Sequence, residues 1–373
     1  MRTTNHIHAS GPLDPSAGTV GVAVIGLGYW GPNLLRVLAD NPEAKVHWIC
    51  DLDRQRLQPY RRRYPSVRAT THVERVLADP AVELVIIATP VHTHHALAAQ
   101  ALEAGKHVFV EKPLAPSSEL ADDLAARAAE RDLILMCGHT FVYSPPVRAI
   151  KQMLDAGTLG DIYFISSSRV NLGLHQRDIS VIWDLGPHDF SILLYWLEQM
   201  PVSVRALGRD SIVPGIADVA FVNMTFASGI VANVELSWLA PSKLRRTVLV
   251  GSERMVTYDD GAVEPIRVFD SGVVYEDPET FGEYHLSYRA GDIVSPRVEA
   301  QEPLGLELAD LLRAVRTGDR MEFQTDLARN VLRLVEAAHR SQILGGREVA
   351  PDLGETVIRP ATGAAAALMP SVA

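Results

Sequence analysis

Cysteine is almost missing from this chain of 373 residues: Cys50 and Cys137 are the only two, each at the end of an apolar run that reads as a buried strand. A disulfide framework is therefore not expected, and a reducing, cytoplasmic setting fits. Long apolar runs are missing too. None reaches the ~18 residues that a membrane helix needs, so no membrane partner is expected. Positive charge is in deficit, with 35 Lys+Arg against 45 Asp+Glu and a formal net charge of -10. Such a surface repels phosphate backbones and anionic lipid, which argues against nucleic acid as a partner. The run Arg61-Arg62-Arg63 is a local exception that reads as a solvated helix end. Residues 1–18 carry Pro, Gly, Ser and His but no apolar core, so they read as a disordered tail and not a signal peptide. His6 and His8 in that tail make no metal site.

What is present reads as two folded domains, since 373 residues exceed one ordinary core. Residues 19–145 alternate strands with helices. Val20–Ile25, Lys45–Cys50, Leu84–Ala88, His107–Val110 and Leu133–Cys137 are short apolar runs, and helical spacing fills Asn33–Asp40, His94–Ala104 and Ser117–Arg131. That alternation predicts a doubly wound parallel sheet, a Rossmann-type α/β domain. The pattern changes over residues 146–350. A helix at Val147–Ala156 and a long strand at Asp161–Asn171 precede a helix at His188–Leu197. Strands then follow in quick succession, with Ala227-Ser228-Gly229 as a hairpin turn, and Leu304–Thr317 and Asp326–Leu344 close as helices. This predicts an α+β domain with a largely antiparallel open sheet. Residues 351–373 are Ala/Pro-rich and read as a flexible tail.

Gly26-Leu27-Gly28-Tyr29-Trp30-Gly31 is a G-x-G-x-x-G placed between a strand and a helix, the context that makes it a dinucleotide signal. Gly26 permits the tight turn, Gly28 the approach of the pyrophosphate, and Gly31 close packing of helix on strand. Tyr29 and Trp30 lie in the same loop. The helix N-terminus then offers free N–H groups to the phosphates, and Pro32 is tolerated there. Asp51 ends the second strand, where a carboxylate accepts from ribose hydroxyls and repels a 2′-phosphate, favouring NAD over NADP. Arg54 and Arg56 stand nearby and could reach a phosphate.

Two clusters carry the chemistry. Glu111-Lys112-Pro113 follows a strand, so Lys112 is aimed at the crevice beyond the sheet's carboxyl edge. In Trp183-Asp184-Leu185-Gly186-Pro187-His188, a helix starting near Trp183 puts Asp184 and His188 four apart on one face. Pro187 would then sit in the first turn, and the carboxylate would orient the imidazole.

These stretches resemble the glucose–fructose oxidoreductase / inositol dehydrogenase / MocA family. The carriers are VIGLGYWG (24–31), IATPVHTHHALAAQALEAGKHVFVEKPLA (87–115) and WDLGPHDFSILLYWL (183–197), and the likeness spans about residues 20–350. The resemblance implies NAD or NADP as cofactor, a dimer or tetramer, and a secondary alcohol of a sugar or cyclitol as substrate. It implies Lys112 as the active-site lysine, His188 as general acid/base and Asp184 as its neighbour. Thr89, Pro90 and His94 would border the cofactor, and Glu111 would lie beside the nicotinamide ribose. SSSRVNLGLHQRDISVIWDLGPHD (166–189) is similar to a sugar-nucleotide 3-dehydrogenase branch, found also in antibiotic-sugar pathways, which implies Arg169, Asn171 and Arg177 as substrate contacts. Val142 stands where many relatives carry arginine, so any contact from that arginine is absent. A cyclitol or free-sugar dehydrogenase is the alternative. A non-catalytic NAD sensor is disfavoured because Lys112, Asp184 and His188 are all present. A zinc site at His92, His94 and His95 is disfavoured because no carboxylate partner accompanies them.

Overall fold

A computed structural model describes residues 18–173, 175, 179–276 and 285–352. Arg177 and both tails beyond those limits lie outside the described residues.

The first sheet is built from β1 (Val20–Ile25), β2 (Ala44–Cys50), β3 (Arg68–Thr70), β4 (Leu84–Ile87), β5 (His107–Glu111) and β6 (Leu135–Gly138). Helices α1 (Gly31–Asp40), α2 (Arg54–Arg63), α3 (Val73–Leu77), α4 (His94–Glu103) and α5 (Ser118–Glu130) alternate with them. All pairings are parallel, in the order β3-β2-β1-β4-β5-β6. Every residue of β1 and β4 is buried, as expected of strands covered on both faces. The chain runs outward from β1 to β3, then returns to β4 on the other side of β1. That reversal opens a crevice beyond the carboxyl ends of β1 and β4.

The second sheet comprises β7 (Ile162–Leu172), β8 (Pro201–Arg209), β9 (Val219–Phe226), β10 (Val231–Ser237), β11 (Leu239–Gly251), β12 (Met255–Asp259), β13 (Ile266–Glu276) and β14 (His285–Val294). It is antiparallel except where β10 runs parallel to β7, and its order is β14-β13-β12-β11-β7-β10-β9-β8. The expected hairpin turn is present, with Gly229 at φ +89° between β9 and β10. Around this sheet lie α6 (Pro145–Asp155), α7 (Val181–Leu197), α8 (Pro303–Thr317) and α9 (Glu322–Ile343). The face towards α7 and α9 is buried, with Val222, Met224, Val234 and Leu236 at its centre. The opposite face leaves two cross-strand pairs exposed, Phe164 with Val231 and Leu207 with Phe221.

The last helix returns to the first sheet. Ala328 and Leu332 of α9 share a core cluster with Leu124 and Ala128 of α5 and Leu135 of β6. Arg333 bonds the Asp122 carboxylate at 2.9 Å, the Glu336 carboxylate accepts from the Ser118 N–H and hydroxyl, and the Thr325 hydroxyl donates to the Leu135 carbonyl. Among the described residues no helix is long and apolar enough to cross a membrane.

Candidate active site

A cleft of about 1950 Å³ opens beyond the carboxyl edge of the first sheet and runs up against α7, β7 and β11 of the second half. Its floor is the glycine turn. Gly26 has φ +94°, and a Cβ there would strike the Ala88 carbonyl oxygen at 2.4 Å. At Gly31 an added Cβ would lie 1.9 Å from the Gly26 oxygen, so helix and turn touch backbone to backbone. At Gly28 an added Cβ would meet only Arg56 Nη1, at 3.8 Å, leaving room above the backbone. No side chain caps α1, so its first N–H groups remain available at the cleft.

Asp51 lines the cleft where it was expected, yet it does more than face a ribose. Its carboxylate accepts from the Leu27 N–H at 2.7 Å and the Asp53 N–H at 2.9 Å, clamping the glycine turn to the end of β2. Arg56 stands 3.8 Å from it. An uncapped helix end, a bare glycine backbone and a buried carboxylate together fit a dinucleotide with free ribose hydroxyls. Tyr29, Trp30, Thr89 and Pro90 also line the cleft. His94 does not. It is buried, with its ring nitrogens 2.8 Å from the Pro113 carbonyl and 2.7 Å from the Thr89 carbonyl, and so ties together the loops after β4 and β5.

Lys112 sits at the end of β5 and reaches across the cleft to α7. Its ammonium lies 2.9 Å from the Asp184 backbone oxygen and 3.3 Å from the Asp184 carboxylate. Trp238 Nε1 donates to the other carboxylate oxygen at 3.1 Å. This corrects the expected pairing of Asp184 with His188: Asp184 serves the lysine and the indole, and no hydrogen bond joins it to the imidazole among the described residues. Helix geometry explains the change. Helix α7 starts at Val181, so Pro187 is inside it and not in its first turn. A proline there leaves the Trp183 carbonyl without its helical N–H donor, and Lys112 arrives from the end of β5 against the next residue, Asp184, taking both its carbonyl and its carboxylate.

His188 lines the same cleft from α7. Its ring meets Phe141 edge-on at 5.0 Å. Burial, followed by the charges of Lys112, Arg169, His139 and Arg245, holds its pKa well below the ordinary histidine value. It is therefore a neutral acceptor at physiological pH. Burial pushes the Glu111 carboxyl the other way, up to about 7, with the Lys112 charge opposing.

Asn171 lines the cleft, but Arg169 is buried behind it. Its guanidinium pairs with the buried Asp189 carboxylate and lies over Phe141 at 4.4 Å. On the wall of the cleft formed by the second half, the lining arginine is Arg245, its cross-strand partner on β11. Arg245 bonds Asp260 at 2.9 Å and lies 5.3 Å from the Phe141 ring centre. Sequence reasoning missed Arg245, Trp238, Phe141 and Asp260. Phe141 sits in the turn after β6, whereas Trp238, Arg245 and Asp260 reach the site only through the pairing of β10, β11 and β12 beside β7.

Both halves of the chain match known protein domains. Residues 20–139 match the family model described as "Oxidoreductase family, NAD-binding Rossmann fold", and residues 147–257 match the GFO/IDH/MocA C-terminal domain. The UDP-N-acetylglucosamine 3-dehydrogenase of Acidithiobacillus ferrooxidans is 34% identical over 192 residues, 52% of this chain and 59% of that protein. The matched stretch thus spans about three-fifths of that relative's length. The scyllo-inositol 2-dehydrogenase (NAD(+)) of Bacillus subtilis is 29% identical over 59% of this chain and 67% of its own length. The crystal structure of GenD2 from gentamicin A biosynthesis in complex with NAD superposes with TM-score 0.77 at 27% identity, covering 92% of this chain and all of that one.

Proposed function

Because the chain belongs to the GFO/IDH/MocA oxidoreductase family, we propose that it is an NAD-dependent dehydrogenase acting on a secondary alcohol of a sugar-like substrate. The observation that carries this reading is the Lys112 ammonium, held by Asp184 across the cleft that also contains the glycine turn and His188. Bound NAD supplies the acceptor for the hydride. Lys112 donates a hydrogen bond to the alcohol oxygen and stabilises the negative charge that grows on it. His188, kept neutral, takes the hydroxyl proton. Asp184 positions the ammonium, and Trp238 positions Asp184. The Asp51 carboxylate meets the adenosine ribose and selects NAD over NADP. Asn171 and Arg245 face the part of the substrate away from the nicotinamide.

The substrate class we propose is a nucleotide-linked amino sugar oxidised at C3, with a cyclitol or free sugar as the second reading. Likeness to the Acidithiobacillus enzyme favours the first and likeness to the Bacillus enzyme the second. The two exposed apolar pairs, Phe164 with Val231 and Leu207 with Phe221, support a homodimer or homotetramer joined through the open sheet.

The test is NAD reduction followed by absorbance, with uridine-diphosphate sugars set against inositols. Lys112→Ala and His188→Ala should each lose ~10²–10⁴ in turnover while still binding NAD. Full turnover in either variant would remove that residue from the mechanism, and reduction of NAD by an inositol alone would select the second reading.

A further inference from the structure

The mechanism delivers the hydroxyl proton to His188, a ring held neutral by its surroundings, and the cleft wall contains a group suited to receive that proton in turn. Glu111 ends β5 beside Lys112 and lines the cleft. Its carboxyl lies on the bare backbone of Gly138, where an added Cβ would come within 3.2 Å of Oε2. Oε2 accepts from the Lys112 N–H at 3.2 Å, Oε1 is enclosed without a close hydrogen-bond partner among the described residues, and the Trp30 indole stands beside the carboxyl. Behind it, His139 is buried with both ring nitrogens likewise unpartnered. The Thr140 hydroxyl donates to Oε2 of the fully buried Glu307 at 2.7 Å, and Glu307 Oε1 again has no partner. Four such atoms on neighbouring residues mark a site that exchanges protons or holds internal water.

The charged and titratable groups around Glu111 come from every element packed there. They are Lys112 on β5, Cys137 on β6, His139 and Tyr143 in the following turn, and Asp184 and His188 on α7. Glu307 on α8 completes the set, and Arg148 on α6 and Asp310 on α8 act in turn on Glu307. Burial and the Lys112 charge lower His139 to about 3, so it stays neutral. Burial, reinforced by the Glu111 charge, raises Glu307 well above the carboxylate range, so it stays protonated. Burial likewise raises the Cys137 thiol. Glu111, at about 7, is thus the member of this cluster poised to change charge near neutrality.

We propose that Glu111 is a redox-linked proton site, ionised opposite the positively charged oxidised nicotinamide and protonated opposite the neutral reduced ring. The inference rests on the dehydrogenase reading above. In alcohol oxidation the C–H and O–H bonds of the carbinol break. The C–H electron pair leaves with its hydrogen for the oxidised cofactor, and the hydroxyl proton passes through His188 to the Glu111 carboxylate. The products are a ketone, reduced cofactor and a neutral Glu111, so charge in the closed site is conserved. The proton leaves when the reduced cofactor does and oxidised cofactor replaces it.

The test needs no sugar substrate. Calorimetric titration of the protein with NAD+ and with NADH, in buffers of different ionisation enthalpy, counts the protons released on binding. If the nicotinamide charge lowers the Glu111 pKa by ~1 unit from ~7, its protonated fraction at pH 7 falls from about one-half to about one-tenth, releasing roughly 0.4 proton per NAD+. NADH should release close to none, and the two dinucleotides share the same phosphates, so phosphate effects cancel. The ratio of Kd for NAD+ to Kd for NADH should rise about eightfold from pH 8 to pH 5. Glu111→Gln should erase both differences, and Glu307→Gln should retain them. Equal proton counts for the two forms in the wild-type protein would overturn the linkage while leaving the dehydrogenase reading intact, and so would a flat Kd ratio. Absence of any dinucleotide binding would overturn both. Should Glu111→Gln fail to fold, the wild-type Kd ratio alone decides the matter.

Discussion

Replacing Arg169 by leucine separates two roles for that residue. Its family likeness implies a substrate contact, but here its guanidinium is buried against Asp189, itself only 4% exposed. Removal of the arginine leaves Asp189 with the Ser167 hydroxyl, at 2.7 Å, as its remaining hydrogen-bond partner among those described. An uncompensated buried charge of this kind costs ~3–5 kcal/mol. At about 2 °C per kcal/mol for a large chain, the melting temperature should fall by roughly 6–10 °C. Thermal unfolding followed by circular dichroism reads this directly. The double variant Arg169→Leu with Asp189→Leu removes both charges and should recover most of the loss, because a buried pair exchanged whole for apolar side chains is often neutral. A single variant that melts within ~2 °C of wild type but needs far more substrate would refute this placement of Arg169.

Arg245→Ala should behave in the opposite way. Its pair with Asp260 is partly exposed and worth only ~0–1 kcal/mol, so melting should hardly move while the substrate KM rises about tenfold in steady-state assays; an unchanged KM would take Arg245 out of the substrate site. Gly31→Ala puts a methyl into the Gly26 carbonyl, so stability should fall by ~1–3 kcal/mol and NAD binding, followed by fluorescence quenching, should collapse. Near-normal affinity would contradict the backbone contact. Asp51→Ala removes one hydrogen bond from the glycine turn and one from the Asp53 N–H as well as the proposed ribose contact. NAD should weaken and NADP should gain relative to it, and an unchanged preference in parallel titrations would count against the ribose role.

Much of the first sheet was legible because its signals are local. The apolar run Val20–Ile25 and the helical stretch from Ser117 fall where the pattern puts them, since burial on both faces and helical spacing are written in consecutive residues, and the Ser117 hydroxyl caps α5 by accepting from the Leu120 N–H. Lys112, Asp184 and His188 were likewise readable as one site, and the structure gathers them around a single cleft. What could not be read is set by pairing at long range. Nothing local says that β7 lies between β10 and β11, yet that placement buries Arg169 and sends Arg245 to the cleft. The partner of Asp184 was misjudged for a related reason. A four-residue spacing on a helix brings two side chains near each other, but it does not weigh a lysine arriving from β5.

The return of α9 to the first sheet limits how this molecule can be divided. A fragment stopped near residue 145 would keep all six strands and the glycine turn, but it would lose the Ala328 and Leu332 cover over Leu124, Ala128 and Leu135. The apolar surface bared in this way would invite aggregation in an excised cofactor module. The two ends of the described chain therefore work as a clasp: the dinucleotide half is completed only after the substrate half has been made.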